Sequence, residues 1–242
     1  MKIIIADNYE EMSIKAANIV AEQIKLKPSS SLGLATGGTP VGMYQSLIKM
    51  YENGEISFKD ITTYNLDEYI GLPENHEQSY RYFMDNNLFN HIDIDKSKTN
   101  VPNGNINEGQ ADAEAKRYDK LISNAEIDLQ VLGIGGNGHI GFNEPCDIFN
   151  KNVFAVKLTE NTIKANSRFF NDISEVPKMA ITMGIKSIMM AKKIILLASG
   201  KEKSEIIKAT IQGNITPKVP ASVLQLHRNV TFVLDKEAAS LL

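Results

Sequence analysis

One cysteine, Cys146, is the only thiol in the 242 residues. A lone cysteine excludes an internal disulfide and fits a reducing compartment. No stretch approaches the roughly 18 apolar residues that a membrane span needs. The opening "MKIIIADNYEE" meets acid too soon for a signal peptide. Cytoplasmic, soluble residence is therefore expected, with no membrane partner. Neither charge sign dominates: the net charge is −3, with no long block of one sign. That argues against a nucleic-acid surface, so any anion site should be local. No H-E-x-x-H, paired cysteines or regular histidine spacing suggests a metal. Nor does a G-x-S-x-G elbow or a G-x-x-x-x-G-K-[ST] loop occur, which leaves out a serine nucleophile and a nucleotide P-loop.

What is present is alternation. Short β-rich runs, "KIIIA" (2–6), "SLGLA" (31–35), "ITTYNL" (61–66), "IDLQVLGI" (127–134), "VFAVKL" (153–158), "KKIILLAS" (192–199) and "NVTFVLD" (229–235), are separated by helical patterns. Helices are expected at about 9–26, 40–53, 79–89, 109–124 and 202–211, with loop after "ITTYNL". Buried runs separated by helices predict an α/β fold. The sheet should be mostly parallel and covered by helices on both faces, a Rossmann-like three-layer sandwich. With no repeat, low-complexity segment or linker, residues 1–242 read as a single domain. Ligands in such folds sit at the carboxyl ends of the strands. The ends of "SLGLA", "ITTYNL" and "IDLQVLGI" should therefore share one crevice.

The first of these ends is "LATGGTP", Leu34 to Pro40. Thr39 is expected as N-cap with Pro40 at the first helical position. Uncovered N–H groups beside Gly37 and Gly38, with the helix dipole, suit a phosphate. The plainer alternative is a tight strand-to-helix turn. In the second, "YNLDEYIGLPENH", Asp67 and Glu68 stand where an apolar strand runs out. Neighbours in a strand face opposite ways, so only one can look into the crevice. A carboxylate in a partly dry cleft is a candidate base. Solvated acids opening a loop are the alternative.

The third, "GIGGNGHIGFNEP" from Gly133 to Pro145, crowds five glycines around His139. Gly133, Gly135 and Gly138 spell the dinucleotide fingerprint, which requires a helix directly after it. Gly141 and Pro145 oppose that helix. Glu160 is placed to match the acid the fingerprint expects, but only after another strand has passed. The better reading has the glycines admitting a compact ligand beside Asn137, His139 and Glu144. Histidine exchanges a proton near neutrality, and Glu144 or the Asn137 amide would orient the ring. Asn137 is neutral, so it adds no charge to stabilise a protonated ring.

Arg168 in "ANSRFF" and Lys203 in "ASGKEKSE" are candidate phosphate ligands, otherwise surface charges. His91 and His227 read as surface or packing residues. His76 is near enough in sequence to line the site but shows no partner. Cys146 reads as a small packing residue first, and as an oxidation-sensitive neighbour second.

"LATGGTPVGMY", "YNLDEYIGLP", "LGIGGNGHIGFNEP", "ANSRFF" and "LQLH" occur in order across nearly the whole chain. In these runs the sequence resembles the glucosamine-6-phosphate deaminases, with "GHIGFNEP" the most specific of them. The resemblance implies conversion of glucosamine 6-phosphate and water to fructose 6-phosphate and ammonia, with no cofactor. It implies ring opening by His139, held by Glu144 and Asn137, and enolisation by Asp67. The 6-phosphate would be bound by Thr36, Gly37, Gly38, Thr39, Arg168 and Lys203. Many members carry Asp at the position of Asn137. Longer members possess an allosteric site for N-acetylglucosamine 6-phosphate. Here "DIFNKNVFAVKL" lacks the closely spaced cations expected for it, so activation is not expected. The oligomeric expectation is a monomer or small homo-oligomer. Two alternatives stay open: a 6-phosphogluconolactonase-type hydrolase, for which Asp67 would be dispensable, and a non-catalytic sugar-phosphate sensor. A dinucleotide-dependent dehydrogenase, the activity the fingerprint would imply, ranks below these.

Overall fold

The computed structural model describes residues 1–158, 163, 172 and 175–242. In chain order these form β1 (Lys2–Ala6), α1 (Tyr9–Leu26), β2 (Ser31–Leu34), α2 (Val41–Glu52), β3 (Thr62–Asn65) and β4 (Asp67–Tyr69). Then come α3 (Tyr80–Asn87), β5 (Thr99–Asn100), α4 (Ala111–Ser123), β6 (Leu129–Leu132), β7 (Phe154–Lys157) and β8 (Met179–Thr182). The last are α5 (Ile185–Met189), β9 (Ile194–Ala198), α6 (Ser204–Gln212) and β10 (Val230–Asp235).

Seven strands pair in the order β1-β10-β9-β6-β2-β3-β5, every ladder parallel. The continuous apolar runs of β9 and β10 are buried because helices cover the sheet. Helix α1 shows how the sequence specifies those covers. The Asn8 side chain caps it by accepting the Glu11 N–H at 2.9 Å, and acidic Glu10 and Glu11 stand in its first turn. Met12, Ala16, Val20 and Ile24 recur at helical spacing and are buried. Removing a fully buried aromatic such as Phe232 would cost about 3–5 kcal/mol. The expected α/β class and mostly parallel sheet are what the chain forms.

The loop expected after "ITTYNL" is instead a strand. β4 leaves the main sheet at Leu66 and pairs antiparallel with β8, which also pairs antiparallel with β7. "DEY" reads as polar, yet all three residues are buried. Only a partner from about 110 residues later in the chain makes it a strand, and period alone cannot show that. A small apolar cluster of Tyr69, Leu72, Phe142 and Ala180 seats this second sheet against the glycine-rich loop.

Strand order reverses between β6 and β2: from β2 the chain proceeds to β3, and from β6 to β9 on the other side. Such a switch point opens a crevice at the carboxyl ends of the strands. No helix follows the glycines of residues 133–141, where turns and one isolated bridge, Ile140 to Asn143, occur. The dinucleotide reading therefore fails on structure too. Glu160, which would have completed it, lies outside the described residues.

Candidate active site

A cavity of about 210 Å³ lies at the switch point, lined by Thr36, Gly37, Gly38, Thr39, Asp67, Gly133, Gly135 and His139, among others. Three strand ends supply it, as the sequence reading expected.

Two tyrosines shape the loop after β2 from behind. The Tyr44 hydroxyl donates to the Ala35 carbonyl at 2.6 Å, and Tyr9 donates to Gly38 O at 3.1 Å while accepting the Gly42 N–H at 2.9 Å. The N–H groups of Gly37, Gly38 and Thr39 take no acceptor among the described residues. Free amides preceding a twelve-residue helix form an anion cradle. Thr39 is not the cap that was expected. Pro40 holds that position in helical conformation and has no side-chain cap to offer, so the Tyr9 hydroxyl is what serves the first turn, at the Gly42 N–H. Val41 N–H bonds back to Gly38 O at 3.3 Å, a tight turn that starts the helix late and leaves the Thr39 hydroxyl uncommitted.

The second wall carries His139. Its ring lies over Gly135, where a β-carbon would stand 2.1 Å from ring Cε1. Asn137 Oδ1 accepts from His139 Nδ1 at 2.7 Å and from the His139 backbone N–H at 3.1 Å. Glu144 Oε1 lies 3.3 Å from the same Nδ1, and Asn137 Nδ2 donates to Glu144 Oε2 at 2.6 Å. Two oxygens facing Nδ1 place the proton there and leave the Nε2 lone pair free as a base. The bond from His139, with that from Asn137, holds the Glu144 carboxyl below its usual range against partial burial. Glu144 thus supplies the negative charge that neutral Asn137 lacks.

Asp67 and Glu68 diverge as strand neighbours must. Asp67 lines the cavity, while Glu68 turns to α3 and accepts the N–H groups of Tyr69, Tyr80 and Arg81 at 2.8, 2.9 and 2.9 Å. No hydrogen bond reaches the Asp67 carboxylate from a described residue. Burial first, then the Glu68 charge, pushes Asp67 up to about 8. Burial likewise raises Glu68 to about 7, against the pull of its three backbone bonds. Gly141 (φ +56°) lies close by: a β-carbon there would approach Thr182 Oγ1 at 2.8 Å and Asp67 Oδ2 at 3.3 Å. Glycine at this position leaves the Asp67 carboxylate and the Thr182 hydroxyl the space they occupy.

Lys203 Nζ donates to the Ile134 carbonyl at 3.0 Å, on the cavity wall, although Lys203 does not itself line the cavity. Arg168 lies outside the described residues. His76, thought a possible liner without a partner, is not among the lining residues, and its Nδ1 accepts the Gln78 N–H at 3.1 Å. His91 and His227 bond backbone carbonyls of Asn86 and Ala191. Cys146 bonds the Ile148 carbonyl through its thiol. Sequence reasoning missed Tyr80 and Phe142, which line the cavity with near-parallel rings 6.3 Å apart. An aromatic directly after the Ser79 cap was the available signal for Tyr80. Phe142 showed none. Among the described residues, no cluster of three or more His, Cys, Asp or Glu is arranged to hold a metal.

Fold and cavity together define an α/β protein in which an anion-accepting loop faces a histidine–carboxylate pair and a dry aspartate. The chain belongs to the family of glucosamine-6-phosphate isomerases and 6-phosphogluconolactonases, whose model matches residues 7–233. A glucosamine-6-phosphate deaminase from Thermoanaerobacter sp. (strain X514) is 59% identical over 100% of this chain and 95% of its own length. The same-named protein from Clostridium botulinum (strain Langeland) is 55% identical, covering 99% of this chain and 98% of its own. Among solved structures, a monomeric glucosamine-6-phosphate deaminase superposes with a TM-score of 0.94 at 48% identity over 100% of both chains. The 6-phosphogluconolactonase from Trypanosoma cruzi shares the fold, with a TM-score of 0.79 at 21% identity, covering 100% of this chain and 96% of its own.

Proposed function

We propose that this chain converts glucosamine 6-phosphate and water to fructose 6-phosphate and ammonia. The observation that carries the reading is the buried Asp67 carboxylate sharing one cavity with His139 and the amides of Gly37 and Gly38. The phosphate would sit on those amides, with Thr36, Thr39, Lys203 and Arg168 as further ligands. His139 Nε2 takes the proton of the anomeric hydroxyl and returns it to the ring oxygen, opening the pyranose, while Glu144 and Asn137 hold the imidazolium. Asp67 removes the C2 proton to give an enolamine. Protonation at C1 then gives a C2 imine, to which water adds and from which ammonia leaves. No step needs a cofactor. Fixing both bases against an anchored sugar supplies part of the barrier, up to roughly 7–11 kcal/mol in the best intramolecular cases.

Lactone hydrolysis requires no removal of a C2 proton, and a sensor needs no base at all, so the dry Asp67 favours the deaminase over both. The high-identity relatives named as deaminases support the same choice. We take the chain as one domain acting as a monomer or small homo-oligomer in the cytoplasm, without nucleic-acid partners. The monomeric structural relative supports the monomer.

The test is a paired assay of ammonia and fructose 6-phosphate for wild type and Asp67→Asn. Stoichiometric release of both products, nearly abolished in the variant, is expected. Tight binding without turnover in the wild type would replace the enzyme with a sensor. Hydrolysis of 6-phosphogluconolactone alone would replace it with the lactonase.

A further inference from the structure

Glu68 is a buried carboxylate, 2% exposed, that the chemistry above does not use. It is also the most heavily bonded acid beside the cavity. Oε1 accepts from the N–H groups of Tyr69 and Tyr80, and Oε2 from that of Arg81. Tyr80 and Arg81 are the first two residues of α3, whose amides have no intrahelical acceptor. The Ser79 side chain takes the third, from Tyr82, at 3.0 Å. A strand carboxylate and a local serine therefore divide the capping of one helix.

The clasp reaches the site from both ends. On the strand side the adjoining residue is Asp67; on the helix side it is Tyr80, whose ring lines the cavity. The Tyr80 hydroxyl lies 3.2 Å from that of Tyr69, closing the small loop between β4 and α3. Other titratable groups facing the two acids are the Tyr69, Tyr80 and Tyr118 phenols and the Glu74 carboxylate. The Arg81 guanidinium is drawn away to Thr99 and Asp85. Among the described residues, then, the backbone amides of Tyr69, Tyr80 and Arg81 rather than a cation hold the Glu68 charge.

We infer that Glu68 is a positioning residue for enolisation: its carboxylate clasps the first turn of α3 and so fixes the Asp67 base and the Tyr80 wall together. The inference rests on Asp67 being the base that removes the C2 proton. A like charge beside a carboxylate disfavours its ionisation and makes it the stronger base. Removing that charge should weaken the base and let it stay ionised to lower pH.

The test compares Glu68→Gln, Ser79→Ala and Asp67→Asn with wild type in the full chain. It reads steady-state constants against pH and solvent deuterium exchange at C2 of the substrate. Glu68→Gln should lose about tenfold or more in both kcat and C2 exchange, with KM within about twofold. The acid limb of its kcat/KM profile should move down by roughly half to one pH unit. Ser79→Ala removes the other cap of the same helix and should leave that limb in place. A wild-type rate and limb in Glu68→Gln would overturn the inference. So would a limb displaced equally by Ser79→Ala. Should Glu68→Gln fold poorly by circular dichroism, Glu68→Asp carries the test. It keeps the charge and shortens the reach, so kcat should fall with the limb unmoved, and an unaltered kcat would overturn the clasp. Exchange persisting in Asp67→Asn would instead remove the base assignment beneath it. Abolished exchange there, with an unchanged Glu68→Gln, would sink the clasp alone.

Discussion

The His139 ring lies so close to Gly135 that a β-carbon on that glycine would stand 2.1 Å from Cε1 and 2.3 Å from Nδ1. The ring cannot keep its place over anything larger than glycine. Gly135→Ala should displace it and cost about 10²-fold in kcat, the penalty for misplacing a reacting group by about 1 Å. KM should change far less, because the Gly37 and Gly38 amides lie on another wall. A wild-type kcat would show that the ring tolerates the shift.

In the proposed mechanism Glu144, 3.3 Å from Nδ1, balances charge on His139 during ring opening. Glu144→Gln keeps the shape and removes the charge, so kcat should fall by about 10–10²-fold. Ring opening should also become rate-limiting. The kinetic isotope effect with C2-deuterated substrate should therefore shrink towards one in the variant. An isotope effect equal to or larger than wild type would place Glu144 in a different step.

As the proposed base Asp67 must be ionised to act, and burial holds it up to about 8. The rate should accordingly rise with pH through a limb well above the usual carboxylate range. Because Glu68 titrates beside it, the limb belongs to the pair. A kcat/KM limb near pH 4 would contradict the dry environment of Asp67.

The same burial has a stability consequence. A carboxyl raised from 3.8 to about 8 binds more protons in the folded than in the unfolded state between those values. Its contribution is complete below pH 3.8 and is lost as pH rises through about 8. Asp67→Asn escapes that loss. Its Tm relative to wild type should climb between pH 5 and 9 (approximate limits), by at least the 2–4 °C that about 1 kcal/mol produces in a chain of this size. A constant difference would show that wild-type Asp67 is not desolvated.

Away from the site, Asp128 accepts from Lys27 Nζ at 2.6 Å, the Ser31 N–H at 2.9 Å and Lys192 Nζ at 3.0 Å. Burial works to raise it, but these bonds together hold it below 3.8. Asp128→Ala leaves the Ser31 N–H without that acceptor and should cost about 1–3 kcal/mol in urea unfolding at neutral pH. The sign for a depressed carboxyl is opposite to that of Asp67. Its stabilisation is present above 3.8 and lost as pH falls, so the difference between variant and wild type should shrink in acid.

Much of this was legible in one dimension. The apolar runs of β9 and β10, the stripe of Met12, Ala16, Val20 and Ile24, and the glycines after β2 and β6 each follow from local spacing. So does the failed dinucleotide fingerprint, since Gly141 and Pro145 speak against a helix within a few residues. The cluster of Asn137, His139 and Glu144 lies within eight residues, and a tight turn was enough to bring it together.

Tertiary structure decided what depends on distant partners. "DEY" became a strand because β8 pairs with it, and that pairing sends Asp67 to the cavity and Glu68 to α3. Thr39 lost the capping role to Pro40, a shift of one residue set by how the chain turns off β2. Phe142 reached the cavity because its N–H bonds Thr182 Oγ1 at 3.1 Å, forty positions away. Local sequence carries period, caps and turns, since their energies arise between near neighbours. The dryness that raises Asp67 comes from burial by segments far away in the chain, and only the folded structure contains it.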